Sequence, residues 1–234
     1  DLAPLILIVG MHRSGTSLLG SLLPACGITM PGTLISGDQN NPEGYYERTD
    51  ISDLQEQLLI DLGRWWPSAN GILQLPEGWM HTQIAQQAEK SLGKILLKES
   101  KKKSKPWAIK DPRTSLLLPM WRKVCEKLNI PLHLLLAIRD PQEVIVSLIQ
   151  RDRAYTGMDE WRAQLLWWRH NAQVLADSKG LPLQVVSYSH WFDPKTADLQ
   201  LQRIAPASSF LQRTHAQSAI HPEHRRSDKQ TAKL

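Results

Sequence analysis

Three stretches of this sequence carry cations and hydroxyls in patterns that can hold an anion. Gly10-Met11-His12-Arg13-Ser14-Gly15-Thr16-Ser17 has the G-x-x-x-x-G spacing and closing hydroxyl of a phosphate loop, with Thr16 where such loops carry lysine. In a nucleotide triphosphatase that lysine reaches the β- and γ-phosphates, so its loss removes the group that handles a γ-phosphate. The loop amides and the start of the following helix still offer N–H donors to an anion, and Arg13 adds a planar cation within the loop. In Ile138-Arg139-Asp140-Pro141-Gln142-Glu143-Val144-Ile145-Val146-Ser147, Arg139 closes an apolar run and Ser147 follows two helical turns later. A forked guanidinium with a hydroxyl suits a phosphate monoester. The competing reading makes Arg139 the ion-pair partner of Asp140 or Glu143 and Ser147 a small packing residue. Lys110, in Ile109-Lys110-Asp111-Pro112-Arg113, ends another short apolar run.

Arg13-Ser14-Gly15-Thr16-Ser17 resembles the 5′-phosphosulfate-binding loop of sulfotransferases that use 3′-phosphoadenosine-5′-phosphosulfate (PAPS), and Arg139 with Ser147 resembles that family's 3′-phosphate-binding segment in residue type and spacing. Ile220-His221-Pro222-Glu223-His224-Arg225-Arg226 is loosely similar to the late basic loop that covers the 3′-phosphate. Lys110-Asp111-Pro112-Arg113 with Leu118-Pro119-Met120-Trp121, and Asn41-Pro42-Glu43-Gly44-Tyr45-Tyr46-Glu47, look like the bacterial sulfotransferase-like subgroup rather than the steroid and phenol type. The catalytic histidine of that type has no counterpart placed here.

The resemblance implies a sulfotransferase that moves a sulfuryl group in line from PAPS to an acceptor hydroxyl or amine, without a metal. The PAPS contacts it implies are Arg13, Ser14, Gly15, Thr16, Ser17, Arg139, Ser147, Arg225 and Arg226. A loose in-line transition state needs positioning, cations near the transferred oxygens and a base for the acceptor. Arg13 and Lys110 are the expected cations. Glu47 is the expected base, because it ends an aromatic segment that would desolvate it and raise its pKa towards neutrality. Glu43 stands second, and Asp111 third because a turn residue paired with Arg113 explains it equally well. His12 is read as lending a hydrogen bond inside the loop.

The elements that must position these groups follow from periodicity. Residues 5 to 9 form a continuous aliphatic run ending at Gly10, the pattern of a strand buried on both faces of a parallel sheet. A helix is expected over 16 to 26, then an irregular stretch to Arg48, helices over 52 to 62 and 82 to 97, and a basic loop over 98 to 105. Strands at 107 to 109, 133 to 138 and 183 to 186 alternate with helices at 115 to 128, from Pro141, at 159 to 177 and at 196 to 204. That alternation predicts an α/β fold, a P-loop-like three-layer sandwich whose mostly parallel central sheet is flanked by helices. Residues 1–226 are read as a single domain and 227–234 as a flexible polar tail.

With 234 residues, 41% of them hydrophobic, the chain can bury one full core. A net charge of +5 favours anionic partners. Cys26 and Cys125 lie in apolar segments without metal spacing, which points to a reducing, cytoplasmic compartment. The apolar start is too short to span a bilayer and lacks the basic flank of a signal peptide. The expected partner is a small-molecule, carbohydrate or lipid acceptor, not nucleic acid. Of the nine tryptophans most are expected in the core, with Trp65, Trp66, Trp79, Trp167 and Trp168 the candidates for stacking on an acceptor or adenine. The rival readings are a P-loop kinase or nucleotidase, and a non-catalytic binder of nucleic acid or anionic glycans through the lysines of 101–105 and the basic residues of 225–233.

Overall fold

The computed structural model describes residues 2–67 and 74–220. Arg225, Arg226 and the expected polar tail lie outside the described residues. Four parallel strands, β1 (Leu5–Val9), β2 (Trp107–Lys110), β3 (Leu132–Ile138) and β4 (Leu183–Ser187), form one sheet in the order β2-β1-β3-β4. Leu5 stands between Trp107 and Leu132, so β1 is paired along its length on both edges and all five of its residues are buried. This is the doubly wound α/β architecture that the alternation of patterns predicts.

Side chains alternate across the sheet and feed two cores. Leu5, Leu7 and Val9 join Trp107, Ile109, Leu134 and Leu136 on one face. There they meet α2 (Thr49–Asp61), α3 (Gln83–Ser100), α4 (Thr114–Leu128), α5 (Pro141–Thr156) and α6 (Glu160–Asp177). Ile6 and Ile8 face the other way, with Ala108, Leu135 and Ala137, onto α1 (Thr16–Leu22), α7 (Pro194–Ile204) and α8 (Phe210–Ser218). A run that reads as uniformly apolar is therefore two interleaved core faces.

Several boundaries differ from the periodicity. The helix expected to reach Cys26 ends at Leu22, because Pro24 has no N–H to continue it and a single 3-10 turn, Pro24–Cys26, closes on Gly27 at φ 82°. The third helix runs on to Ser100, so Lys98 is helical rather than part of a loop. Helix α8 was not anticipated: its signal is a capping box, Ser209 accepting from the Gln212 amide while the Gln212 side chain accepts from the Ser209 amide. Trp107 and Trp121 are fully buried, whereas Trp168 stands out into solvent beside a half-buried Trp167, as an amphipathic α6 requires.

The chain leaves β1 for β2 on one side and later takes up β3 on the other. That reversal opens a crevice at the carboxyl ends of β1 and β3, where ligands of open α/β sheets bind. Gly10 makes the exit possible. Its φ is +133°, and a Cβ there would lie 2.5 Å from the Ala137 carbonyl oxygen on the neighbouring strand. Its N–H donates to the Ser115 hydroxyl at 2.9 Å, and that hydroxyl donates to the Gly10 carbonyl at 3.2 Å. Gly10→Ala is expected to destabilise the fold by about 3 kcal/mol or more, since both the φ and the backbone contact oppose a methyl. Urea denaturation checks this, and a loss under about 1 kcal/mol would contradict the tight packing of the turn.

Candidate functional site

The loop from Gly10 to Gly15 turns sharply enough to put Arg13 at φ 69° and Gly15 at φ 88°. Arg13 is thus held in the left-handed region, a conformation an arginine takes only when its surroundings impose it. Its Nε donates to the Ser147 hydroxyl on α5 at 2.8 Å, and its Nη1 to the Asn40 carbonyl at 3.4 Å. Its own carbonyl accepts from Arg139 Nη1 at 3.1 Å. Helix α1 begins at this loop without a side-chain cap, and the Ser14 hydroxyl is buried with no hydrogen-bond partner. A Cβ on Gly15 would stand 2.4 Å from the Tyr188 ring, so this turn tolerates no side chain.

Arg139 leaves β3 as expected. Its guanidinium lies 4.2 Å from the centre of the Tyr188 ring, and its Nε pairs with Glu143 at 2.6 Å. The ion pair and the approach to the loop therefore coexist in one side chain. Asp140 caps α5 instead, accepting from the amides of Gln142 and Glu143.

On the other side of β1, Glu47 makes a single parallel bridge with Lys110, which sets its carboxylate beside the Lys110 amine. Lys110 Nζ donates to Glu47 Oε1 at 2.6 Å, to the Tyr45 carbonyl at 2.9 Å and to the Ser17 hydroxyl at 3.3 Å. Arg113 Nη1 reaches Glu47 Oε2 at 3.2 Å and Asp111 Oδ1 at 3.0 Å. Asn41 ties the same cluster to the loop, donating to the Ser17 hydroxyl at 3.1 Å and the Gly44 carbonyl at 2.6 Å.

These contacts reverse the expected direction of the Glu47 pKa. Burial is the largest influence and alone would raise it, but the Lys110 and Arg113 charges together outweigh burial and hold the carboxyl below its ordinary value. Asp111 goes the other way: its burial is complete, and Arg113 only partly offsets it, so its pKa is raised. Asp111 also accepts from the Arg113 amide at 2.9 Å, the local turn pairing that its position before proline offered.

His12 lies with its ring against two other rings while lining the cleft at the loop. It is buried, its ring stacks on Trp66 at 3.9 Å between centroids, and it meets His170 edge-on at 6.2 Å. Burial, then Arg151 and Arg113, hold its pKa well below 6.5. Burial likewise takes His170 from 6.5 down to about 4, against the hydrogen bond to the Leu166 carbonyl that favours the charged form. For both, the folded pKa lies below the unfolded one, so the unfolded chain gains protons first. Their contribution to stability is complete above pH 6.5 and is lost as pH falls towards about 4. The urea midpoint should decline across that window, and His170→Asn should flatten the decline. A wild-type midpoint constant through the window would contradict neutral burial of this pair.

One cleft gathers most of these groups. Arg13, Gly15, Thr16, Ser17, Glu43, Glu47, Lys110 and Arg139 line it, together with Asn41, Tyr45, Arg151 and Tyr188. Of the residues singled out by sequence, Ser147 touches it through Arg13, Ser14 sits beneath the loop, and Asp111 is sealed beneath Arg113. Sequence reasoning missed Arg151, Tyr188 and the structural part of Asn41. Arg151 carried a readable signal, one helical turn beyond Ser147 on the same helix; Tyr188, in a 3-10 turn after β4, carried none. A neighbouring cleft shares His12, Tyr45, Glu47 and Arg151 with the first and adds Trp66, Arg113, Asp152 and Tyr155. Of the tryptophans named for stacking, Trp66 alone lines either cleft.

No family model matches the sequence, and no curated protein matches it. Solved structures do resemble the fold. The sulfotransferase domain of the olefin synthase from Synechococcus PCC 7002 superposes with a TM-score of 0.53 at 17% identity, over 92% of this chain and 78% of that one. A sulfotransferase from Mycobacterium tuberculosis gives 0.50 at 16% identity, over 94% and 72%. At these identities the likeness is one of fold: a P-loop-like α/β sandwich with a parallel sheet between helices.

Proposed function

We propose that this chain is a PAPS-dependent sulfotransferase of the bacterial type, transferring a sulfuryl group to an acceptor hydroxyl or amine. The observation that carries the proposal is the meeting of two segments far apart in sequence: Arg13 of the first loop donates to Ser147, and Arg139 donates to the carbonyl of Arg13. The two stretches whose spacing fits the two ends of the nucleotide thus form one wall of one cleft. The fit to an anion at the loop is supported by the uncapped start of α1, whose first amides stay available as donors.

In this reading PAPS is the donor substrate. Its sulfur–oxygen bond to the 5′-phosphate breaks as the acceptor oxygen or nitrogen bonds to sulfur, and 3′-phosphoadenosine 5′-phosphate leaves. Arg13 and Lys110 face the charge that builds on the leaving phosphate and the transferred oxygens. Glu47 takes the acceptor proton, with Glu43 on the same cleft as the other candidate. An ionised Glu47 is ready to accept a proton at neutral pH, but its lowered pKa makes it a modest base. Late deprotonation in a loose transition state is compatible with that. Asp111, buried and held by Arg113, is the least accessible of the three proposed bases.

Thermal shift tests the donor assignment. Stabilisation by 3′-phosphoadenosine 5′-phosphate in the presence of a chelator is expected. A response only to ATP with magnesium would sink the proposal in favour of a kinase or nucleotidase.

A further inference from the structure

Helix α3 packs against α2 and α4 and turns a line of lysines outward. Lys90, Lys94 and Lys98 recur every four residues, and Lys101, Lys102 and Lys105 continue past the helix end, all six exposed. At 100° per residue Lys90, Lys94, Lys98 and Lys101 fall within a single quadrant of the helix, about 17 Å from first to last. The acids nearby do not neutralise them. Glu89 pairs with Lys123 and Lys127 of α4, and Glu99 is buried against Arg48. Among the described residues none of the six lysines pairs with a carboxylate. Unbalanced like charges along one helix edge repel one another, a cost that an anionic surface would relieve.

We infer that this face is a docking surface for an anionic lipid bilayer. Three observations favour a bilayer over nucleic acid. The cations of the stretch from 90 to 105 are all lysines, point charges suited to a diffuse negative surface, with none of the arginine forks that grip individual phosphates. The helix and the basic run after it, residues 83 to 105, contain no aromatic residue on which a base could stack. Leu97 lies on the same helix quadrant as Lys90 and Lys101 and is 40% exposed, an apolar group placed to enter the headgroup layer between ammonium groups. The lysine run ends next to the amino end of β2, whereas the cleft lies at its carboxyl end, so docking leaves the cleft open.

Cosedimentation with vesicles decides the matter. The chain should bind vesicles of phosphatidylcholine containing about one third phosphatidylserine, should not bind phosphatidylcholine alone, and should be released by salt. Lys94→Glu/Lys98→Glu/Lys101→Glu should weaken partitioning by about a hundredfold. Lys101→Glu/Lys102→Glu/Lys105→Glu, whose changes lie outside the helix, should act in the same direction and guards against misfolding of the first variant. Both variants should keep the thermal response to 3′-phosphoadenosine 5′-phosphate, so loss of vesicle binding is separable from failure of the donor assignment. Absence of binding to the mixed vesicles at low salt, binding unaffected by either triple variant, or preference for a single-stranded oligonucleotide over the vesicles would each overturn the inference.

Discussion

Arg13→Ala is expected to weaken binding of 3′-phosphoadenosine 5′-phosphate by about 10- to 100-fold and to lower kcat/KM for sulfuryl transfer by about a thousandfold, because under the proposed function the guanidinium serves both the bound phosphate and the charge developing during transfer. Calorimetry and transfer of labelled sulfate read the two effects separately. The strained backbone supplies a control. Arg13 is held at φ 69°, where glycine is at ease and alanine is not, so Arg13→Gly should fold at least as stably as Arg13→Ala while binding equally poorly. Nucleotide affinity unchanged in both variants would mean that the loop holds no anion. Ser147→Ala, which removes only the partner of Arg13 Nε, should have the same sign with a smaller effect.

Glu47→Gln is expected to slow transfer by about a hundredfold or more while leaving nucleotide affinity nearly intact. It should also be the least stable of the cleft variants, losing about 3 kcal/mol, since Lys110 and Arg113 remain buried with one charge fewer to answer them. A pH series tells this ionic role from simple packing. The folded pKa of Glu47 lies below 4.5, so its contribution to stability is present above that pH and is lost as pH falls through the folded pKa. The glutamine variant should lack that part of the acid limb. Unchanged turnover would transfer the role of base to Glu43, which lines the same cleft.

Under the proposed function, donor recognition and catalysis place different demands on neighbouring groups. Arg13 and Arg139 converge through a backbone carbonyl and a hydroxyl, contacts a phosphate can supplement without breaking a buried ion pair. Lys110 is already committed to Glu47, the Tyr45 carbonyl and Ser17.

What the sequence determined by itself was whatever a few consecutive residues must satisfy together. The aliphatic run of β1, the glycines that leave it, and Arg139 and Ser147 on one strand-to-helix passage follow from backbone sterics and from the 3.6-residue period, so the α/β fold could be read from the sequence. Helix α8 and the end of α1 were less legible, because a capping box and one proline decide them against weak apolar periodicity. Only the tertiary structure decided the electrostatics. Glu47 meets Lys110 and Arg113 across 63 and 66 residues of chain, and that encounter sets its pKa against the direction its aromatic neighbours implied. Tyr188 beneath Arg139, and His12 drawn from the loop onto Trp66, have the same origin. Coulomb and stacking energies depend on distance in space, and strand order, not local pattern, brought these residues within reach.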